Sequence, residues 1–163
     1  MYEAARVGNE ILAAAQLKGL KLTPLQLVKL VYIAHGFLLG MHGRPLIDEA
    51  VEAWKYGPVV PRLYQAVKKW GRSPIAHDLP TTASMFGFKW PQPIDAEAMA
   101  VIRQVAEKWG HLSGGALSTW THREGSPWDK VYREDQPSKP IPNELIKDYF
   151  EGIVRQNKAT ASG

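Results

Sequence analysis

An almost wholly apolar stretch between Thr23 and Met41 predicts a helix buried at the centre of the fold. Thr23 can cap its N-terminus, and Pro24 suits the first helical position, where no N–H group is needed. A helix that is apolar on nearly all sides requires neighbours on most of them. The exceptions form only a thin seam: Gln26, Lys29, Gly36 and Gly40. Because Gln26, Lys29 and His35 argue against a membrane span, we expect the core helix of a soluble domain.

The pattern changes from helical to extended after this helix. Glycines 40 and 43 and the pair Arg44–Pro45 end the helix. Val51, Ala53 and Lys55 then alternate with Glu52, Trp54 and Tyr56, which is the period of a strand. We expect this strand to be one arm of a small hairpin whose other arm lies near residues 46–47. Gly57 and Pro58 should turn the chain into a third helix, from Val59 to Trp70.

Five further segments predict the remaining helices. Apolar residues recur at helical spacing in residues 3–18, 95–109 and 143–155, and Asp95, Ser113 and Ser126 can cap helices. The two latter caps predict short helices at 113–122 and 127–133. The expected fold is mainly α: a single compact helical domain of about six or seven helices around the buried central helix, with a small β-hairpin. The domain should cover residues 1–156, and residues 157–163 should form a flexible tail.

Two separated stretches resemble a known family. The first is KLVYIAHGFLLGMHGRPLIDEAVEAWKYGPVVPRLY, and the second is THREGSPW. They resemble the signatures of the Panacea domain, the SocA-like and phage-associated GepA-like antitoxin family. Its pattern is roughly K-L-x-Y-x-A-x-G, G-x-P-L, E-A-W-x-Y-G-P-V-x-P-x-x-Y and then T-H-x-x-x-x-P-W. The matching positions include Lys29, Leu30, Tyr32, Gly36, Glu52, Trp54, Tyr56, Gly57, Pro58, Tyr64, Thr121, His122, Pro127 and Trp128.

The resemblance implies an antitoxin that neutralises a cognate toxin encoded beside it by direct protein–protein binding. One member type instead delivers its toxin to a protease as an adaptor, so a AAA+ protease is the alternative partner. A phage or prophage regulatory protein that binds nucleic acid is a further alternative. The resemblance does not say which toxin this chain meets.

Composition narrows these alternatives. The chain has 20 basic and 16 acidic residues among 163, a net charge of +4, and a pI near 9.3. This balance permits an acidic partner or nucleic acid, but no helix shows a basic face with base-reading residues, so nucleic acid is not the expected partner. The chain has no cysteine, and its N-terminal residues lack a secretory pattern. We therefore expect a cytoplasmic protein without a membrane anchor.

No group of residues forms a recognisable catalytic or metal-binding pattern. The histidines lack metal-ligand spacing, and no nucleophile motif is present, so we expect neither an enzyme nor a cofactor. Glu52 is expected to pair with Lys29 or Arg123 rather than to act as an acid or base. Thr121 and His122 can either touch the partner or bond backbone carbonyls and hold the turn before Trp128. We favour the second interpretation.

Trp54 and Trp128 are expected to be mostly buried and structural.

Two segments are candidates for the partner surface. The long segment from Gly71 to Pro93 exceeds what a core needs, and it offers aromatic and arginine anchors for a partner. The strand edge from Ile47 to Lys55 is the second candidate. The anchors in the long segment are Arg72, Phe86, Phe88 and Trp90.

Overall fold

The buried helix predicted from Thr23 onward is helix α2, Pro24–His42. It begins with a capping box, in which the Thr23 side chain accepts a hydrogen bond from the Gln26 N–H and the Gln26 side chain accepts one from the Thr23 N–H. It ends at Gly43, whose φ of 68° is left-handed and suits glycine. The computed structural model describes residues 1–87 and 92–162.

Seven further α-helices are described, and they confirm the prediction of a mainly α domain, 59% helical with a small three-stranded sheet. Helices α1, α5, α6 and α8 all contact α2, so the core surrounds it. A 3₁₀ turn, Lys68–Trp70, continues α3. The seven are α1 (Ala4–Leu17), α3 (Pro61–Val67), α4 (Thr82–Met85), α5 (Ala96–Trp109), α6 (Gly114–His122), α7 (Pro127–Val131) and α8 (Asn143–Ala161).

Side-chain caps fix the predicted helix starts. Asp95, Ser113 and Ser126 each accept a hydrogen bond from the backbone N–H three residues later, which places the starts of α5, α6 and α7 as predicted. Helix α3 begins at Pro61 rather than Val59, α7 ends at Val131 rather than at residue 133, and α8 continues to Ala161. Helix α4 was not predicted. Residues 157–161 are therefore helical, while the flexibility of the tail stays a prediction.

The small sheet differs from the predicted hairpin in its pairing. Strand β1 (Glu52–Trp54) pairs antiparallel with β2 (Gly57–Val59) and, on its other side, with β3 (Lys139–Pro140). The predicted arm at residues 46–47 is wrong, because Ile47 bridges Tyr2 instead. Since β1 is the central strand, the expected strand edge up to Lys55 is also wrong. We call the two-residue turn between β1 and β2, Lys55 and Tyr56, the hairpin tip.

Helix α8 packs closely on α2 because two glycines leave room for it. A Cβ atom on Gly36 would lie 2.3 Å from the Phe150 ring, and one on Gly40 would lie 2.7 Å from the backbone nitrogen of Glu151. The Phe150 ring also packs edge-on against Tyr32, with ring centroids 5.8 Å apart. The Gly36-x-x-x-Gly40 spacing therefore serves helix packing within the chain.

His35 is fully buried on α2 and ties it to two other segments. Its Nε2 lies 2.9 Å from Oδ1 of Asn143. Its Nδ1 accepts from the backbone N–H groups of Leu46 and Ile47, at 3.3 and 3.4 Å. Burial lowers the pKa of His35 from 6.5 to about 4, and the Asn143 contact opposes this only in part. The ring is therefore neutral at physiological pH.

Within the described residues, α2 is the helix long and apolar enough to cross a membrane, with a mean hydropathy of 1.3. In the fold, 72% of that stretch is buried by other elements of the same chain. The core helix of a globular protein has the same length and composition, so α2 is weak evidence for a span.

Candidate partner-binding surface

Residues from both motif stretches meet at the β1–β2 hairpin. Lys29, on α2, donates from Nζ to the carbonyl oxygen of Pro58 in β2 at 3.0 Å. Gly57 lies directly against this amine: a Cβ atom there would be 2.6 Å from Nζ of Lys29 and 3.1 Å from Oγ1 of Thr121. Its φ of 111° also lies outside the range that other residues adopt readily. Both observations explain a glycine at this position.

Side chains from α6 and α7 contact two further carbonyl groups of the hairpin, those of Trp54 and Lys55. Trp128 donates from its indole N–H to the carbonyl oxygen of Trp54 at 2.7 Å. The ring nitrogens of His122 lie 2.6 Å from the carbonyl oxygen of Ser118 and 3.3 Å from that of Lys55. The His122 and Trp128 rings pack edge-on with centroids 4.2 Å apart. The hairpin backbone is thus fixed by residues distant in sequence.

Lys29 is a buried amine whose hydrogen bond, within the described part of the chain, is to a carbonyl group rather than a carboxylate. Burial lowers its pKa from 10.5 to about 7. The expected pairing with Glu52 is wrong, because Glu52 accepts from the Trp54 indole N–H at 2.8 Å. Arg123 is also engaged elsewhere: its guanidinium lies 4.4 Å from the centroid of the Trp120 ring. Burying the Lys29 amine therefore lowers the stability of the fold, and no ion pair among the described residues offsets this loss.

Beside the hairpin tip lies a groove of about 450 Å³ between the start of α2, the hairpin and α3. We call it the tip groove. Tyr56 stands at its edge with 69% of its surface exposed. The Trp54 and Tyr64 rings pack edge-on in its wall, with centroids 5.2 Å apart. Its lining residues are Pro24, Leu25, Val28, Lys29, Trp54, Lys55, Tyr56, Val59, Tyr64, Lys68 and Gly71.

The family described as antitoxin SocA-like, Panacea domain, matches residues 27–129. This range begins two residues before Lys29 and ends one residue after Trp128, so it contains the side chains of Lys29, His122 and Trp128 that contact the hairpin. The chain belongs to this family. The antitoxin SocA of Caulobacter vibrioides (strain NA1000 / CB15N) is 32% identical over 131 residues, which cover 79% of this chain and 70% of that protein. No solved structure matches significantly.

The motif residues of this Panacea domain fall into two groups. Leu30, Tyr32 and Gly36 belong to the buried interior of α2, where Gly36 faces Phe150. The others surround the hairpin: Lys29, Glu52, Trp54, Tyr56, Gly57, Pro58, Tyr64, Thr121, His122, Pro127 and Trp128. Trp54 and Trp128 are partly buried and pack against the hydrophobic core, and each donates its indole N–H to a hydrogen bond at the hairpin.

The candidate partner residues are spread over several places. Ile47 is 2% exposed, so its side chain lies in the core and offers no surface. Lys55, Arg72 and Phe86 are exposed, but they do not form one patch with Ile47. Phe88 and Trp90 lie outside the described residues. Within the described ranges, no group of three or more His, Asp or Glu side chains is placed to hold a metal ion.

The groove itself was not predicted from the sequence. Leu25, Val28, Val59 and Lys68 line it, yet none of them lies in a segment that was singled out as a surface. They come from three elements that approach only in the folded chain. The available signal was Leu25, an apolar residue in the first turn of the helix, two positions after the Thr23 cap. In the fold its side chain is 42% exposed.

Proposed function

We propose that this protein is the antitoxin of a toxin–antitoxin pair and neutralises the toxin encoded beside it by binding it directly. Membership of the SocA-like family supports the antitoxin role. The observation that supports direct binding is the hairpin: side chains from three helices hold its backbone, while the Tyr56 side chain points outward with 69% exposure. An exposed aromatic side chain on a backbone that is held in place is the kind of anchor from which protein interfaces draw most of their binding energy.

In this proposal the protein acts stoichiometrically in the cytoplasm, without a cofactor and without turning over a substrate. A catalyst needs groups of matched geometry and protonation around a pocket. The tip groove instead combines apolar side chains with lysines, which suits a protein surface better than a reaction.

The test begins with the gene next to this one. Co-expression with its product should restore growth that the product alone arrests, and the two proteins should purify as one complex. In a purified assay, toxin activity should fall in proportion to added protein and vanish near an equimolar ratio. Full inhibition at a small fraction of the toxin concentration would contradict the covering mechanism. Inhibition that appears only with a AAA+ protease and ATP would establish the adaptor instead.

A matched pair of variants separates the two candidate surfaces. Tyr56 and Phe86 are both exposed aromatic residues, at 69% and 74%, on different segments. Tyr56→Ala should weaken the complex by more than about tenfold, whereas Phe86→Ala should not. Both variants should keep the parent melting temperature because neither side chain belongs to the core. The reverse result would move the partner surface to the segment that follows α4.

A further inference from the structure

The positive charge of the chain is concentrated in one segment, and two of its lysines, Lys55 and Lys68, line the tip groove. Residues 53–77 contain five basic residues and no Asp or Glu, so this segment carries a charge of +5 while the rest of the chain carries −1. All five side chains are exposed: Lys55, Arg62, Lys68, Lys69 and Arg72. Glu52, which immediately precedes the segment, accepts from the Trp54 indole. A surface of one sign attracts a partner of the opposite sign and speeds their encounter.

The groove between these charges is apolar. Leu25 and Tyr64 are 42% and 38% exposed, and Val28 and Val59 lie beside them. Lys55 and Lys68 stand among the lining residues, and no carboxylate does so within the described residues. The chemistry that complements this arrangement is an apolar side chain flanked by carboxylates.

The Trp70 ring, a candidate stacking surface for a nucleic acid, is already engaged by other side chains. Lys69 places Nζ 4.3 Å from the centroid of the Trp70 ring, and His77 packs edge-on against the same ring. Lys55 lies over the Tyr56 ring at 5.7 Å. Single-stranded nucleic acids bind basic grooves chiefly by stacking bases on open aromatic faces. A concave apolar groove instead receives a single anchoring side chain.

We propose that the tip groove binds an acidic segment of the toxin that inserts one apolar or aromatic side chain between Lys55 and Lys68. This inference rests on the proposed function, since it assigns the docking chemistry of that same toxin. Trp54 and Tyr64 form the apolar wall, Tyr56 stands at the edge, and Lys55 and Lys68 contact the carboxylates that flank the anchor.

The experiment measures the dissociation constant of the complex with the product of the adjacent toxin gene. The test variant is Lys55→Glu with Lys68→Glu. The control is Lys108→Glu with Lys158→Glu, an equal charge change at a second groove, of about 580 Å³, lined by the far end of α2 together with α5 and α8. All four lysines are exposed, so both variants should fold, which circular dichroism and melting curves would verify.

The test variant should raise the dissociation constant by more than about tenfold and the control by less than about threefold. For the parent protein the dissociation constant should rise as salt increases from about 50 to about 500 mM, and more steeply than for the test variant. With p-benzoylphenylalanine in place of Tyr56, photo-crosslinking and mass spectrometry should identify a toxin peptide rich in Asp and Glu around an apolar residue.

The outcomes separate this inference from the proposed function. If the toxin does not bind the parent protein at all, the proposed function fails and the docking site fails with it. If the toxin binds the parent and both double variants equally, the antitoxin role stands and the docking site is wrong. A crosslink to a neutral or basic toxin segment would also overturn the inference. The inference would also be overturned if the parent protein bound a fluorescent single-stranded oligonucleotide tightly and only the test variant lost this binding, while the affinity of the test variant for the toxin stayed unchanged.

Discussion

The buried amine of Lys29 makes the stability of this protein depend on pH in a defined direction. Burial lowers its pKa from 10.5 to about 7. Between these values the unfolded chain binds a proton that the folded chain does not, so the free energy of unfolding rises with pH across this window. At about 1.4 kcal/mol per pH unit, the whole difference amounts to roughly 5 kcal/mol. Above pH 10.5 this dependence ends.

Lys29→Met should remove that dependence. Methionine fills a similar volume without a charge, although the Pro58 carbonyl then loses its donor at a cost of about 1–3 kcal/mol at every pH. Relative to the parent, the variant should therefore gain stability steadily as pH falls from about 10 to about 7. Urea unfolding followed by tryptophan fluorescence at several pH values measures the difference, in which the titrations shared by both proteins cancel.

Lys68→Met is the matched control, because Lys68 is exposed. Its stability curve should run parallel to that of the parent. Parallel curves for the parent and Lys29→Met would refute the reasoning, since they would mean that the amine keeps its charge in the fold at no cost.

Changes at three sites test the packing and the hairpin contacts. As pH drops from 6.5 to about 4, the free energy of unfolding of the parent should fall by about 3 kcal/mol relative to that of His35→Leu, since the buried neutral ring of His35 charges only on unfolding. This comparison removes the titrations that both proteins share, including that of Glu49, whose raised pKa of about 7 acts in the opposite direction. An equal pH dependence of the two proteins in urea unfolding would contradict this. Gly40→Ala should destabilise by about 1–3 kcal/mol because its Cβ meets the α8 backbone. Gly152 has open space around it, so Gly152→Ala should be neutral or should stabilise the fold by up to about 1 kcal/mol in thermal unfolding. Similar losses of stability in Gly40→Ala and Gly152→Ala would disprove the packing argument. Trp128→Phe should lose about 1–3 kcal/mol because the Trp54 carbonyl is left without its donor; an unchanged melting temperature would show that water replaces the indole.

Local signals explain what could be predicted from the sequence. The caps at Thr23, Asp95, Ser113 and Ser126 lie next to the helices that they start, and each helix begins where its cap placed it. The apolar pattern of α2 likewise indicated burial correctly. By contrast, α4 has only four residues, which is too few for a hydrophobic period to show.

Features that depend on distant partners could not be predicted in the same way. Strand β1 pairs with Lys139 and Pro140, which follow it by more than 80 residues. Ile47 alternates as a strand residue would, but its partner is Tyr2 at the start of the chain. Lys29 looked like part of a polar seam, and its burial became visible only when β2 and α6 covered it. The tip groove has the same origin, since its walls come from separate elements.

The contacts that hold the hairpin tip also set when it forms during synthesis. The backbone of residues 54 and 55 is tied to Trp128 and His122, at sequence separations of 74 and 67 residues. A nascent chain that has released only the hairpin and α3 therefore has the residues of the tip without the bonds that fix it. These bonds can form only after α6 and α7 have emerged and docked. Under the proposed function, chains cut short before Trp128 would therefore lack the fixed hairpin tip that is proposed to contact the toxin.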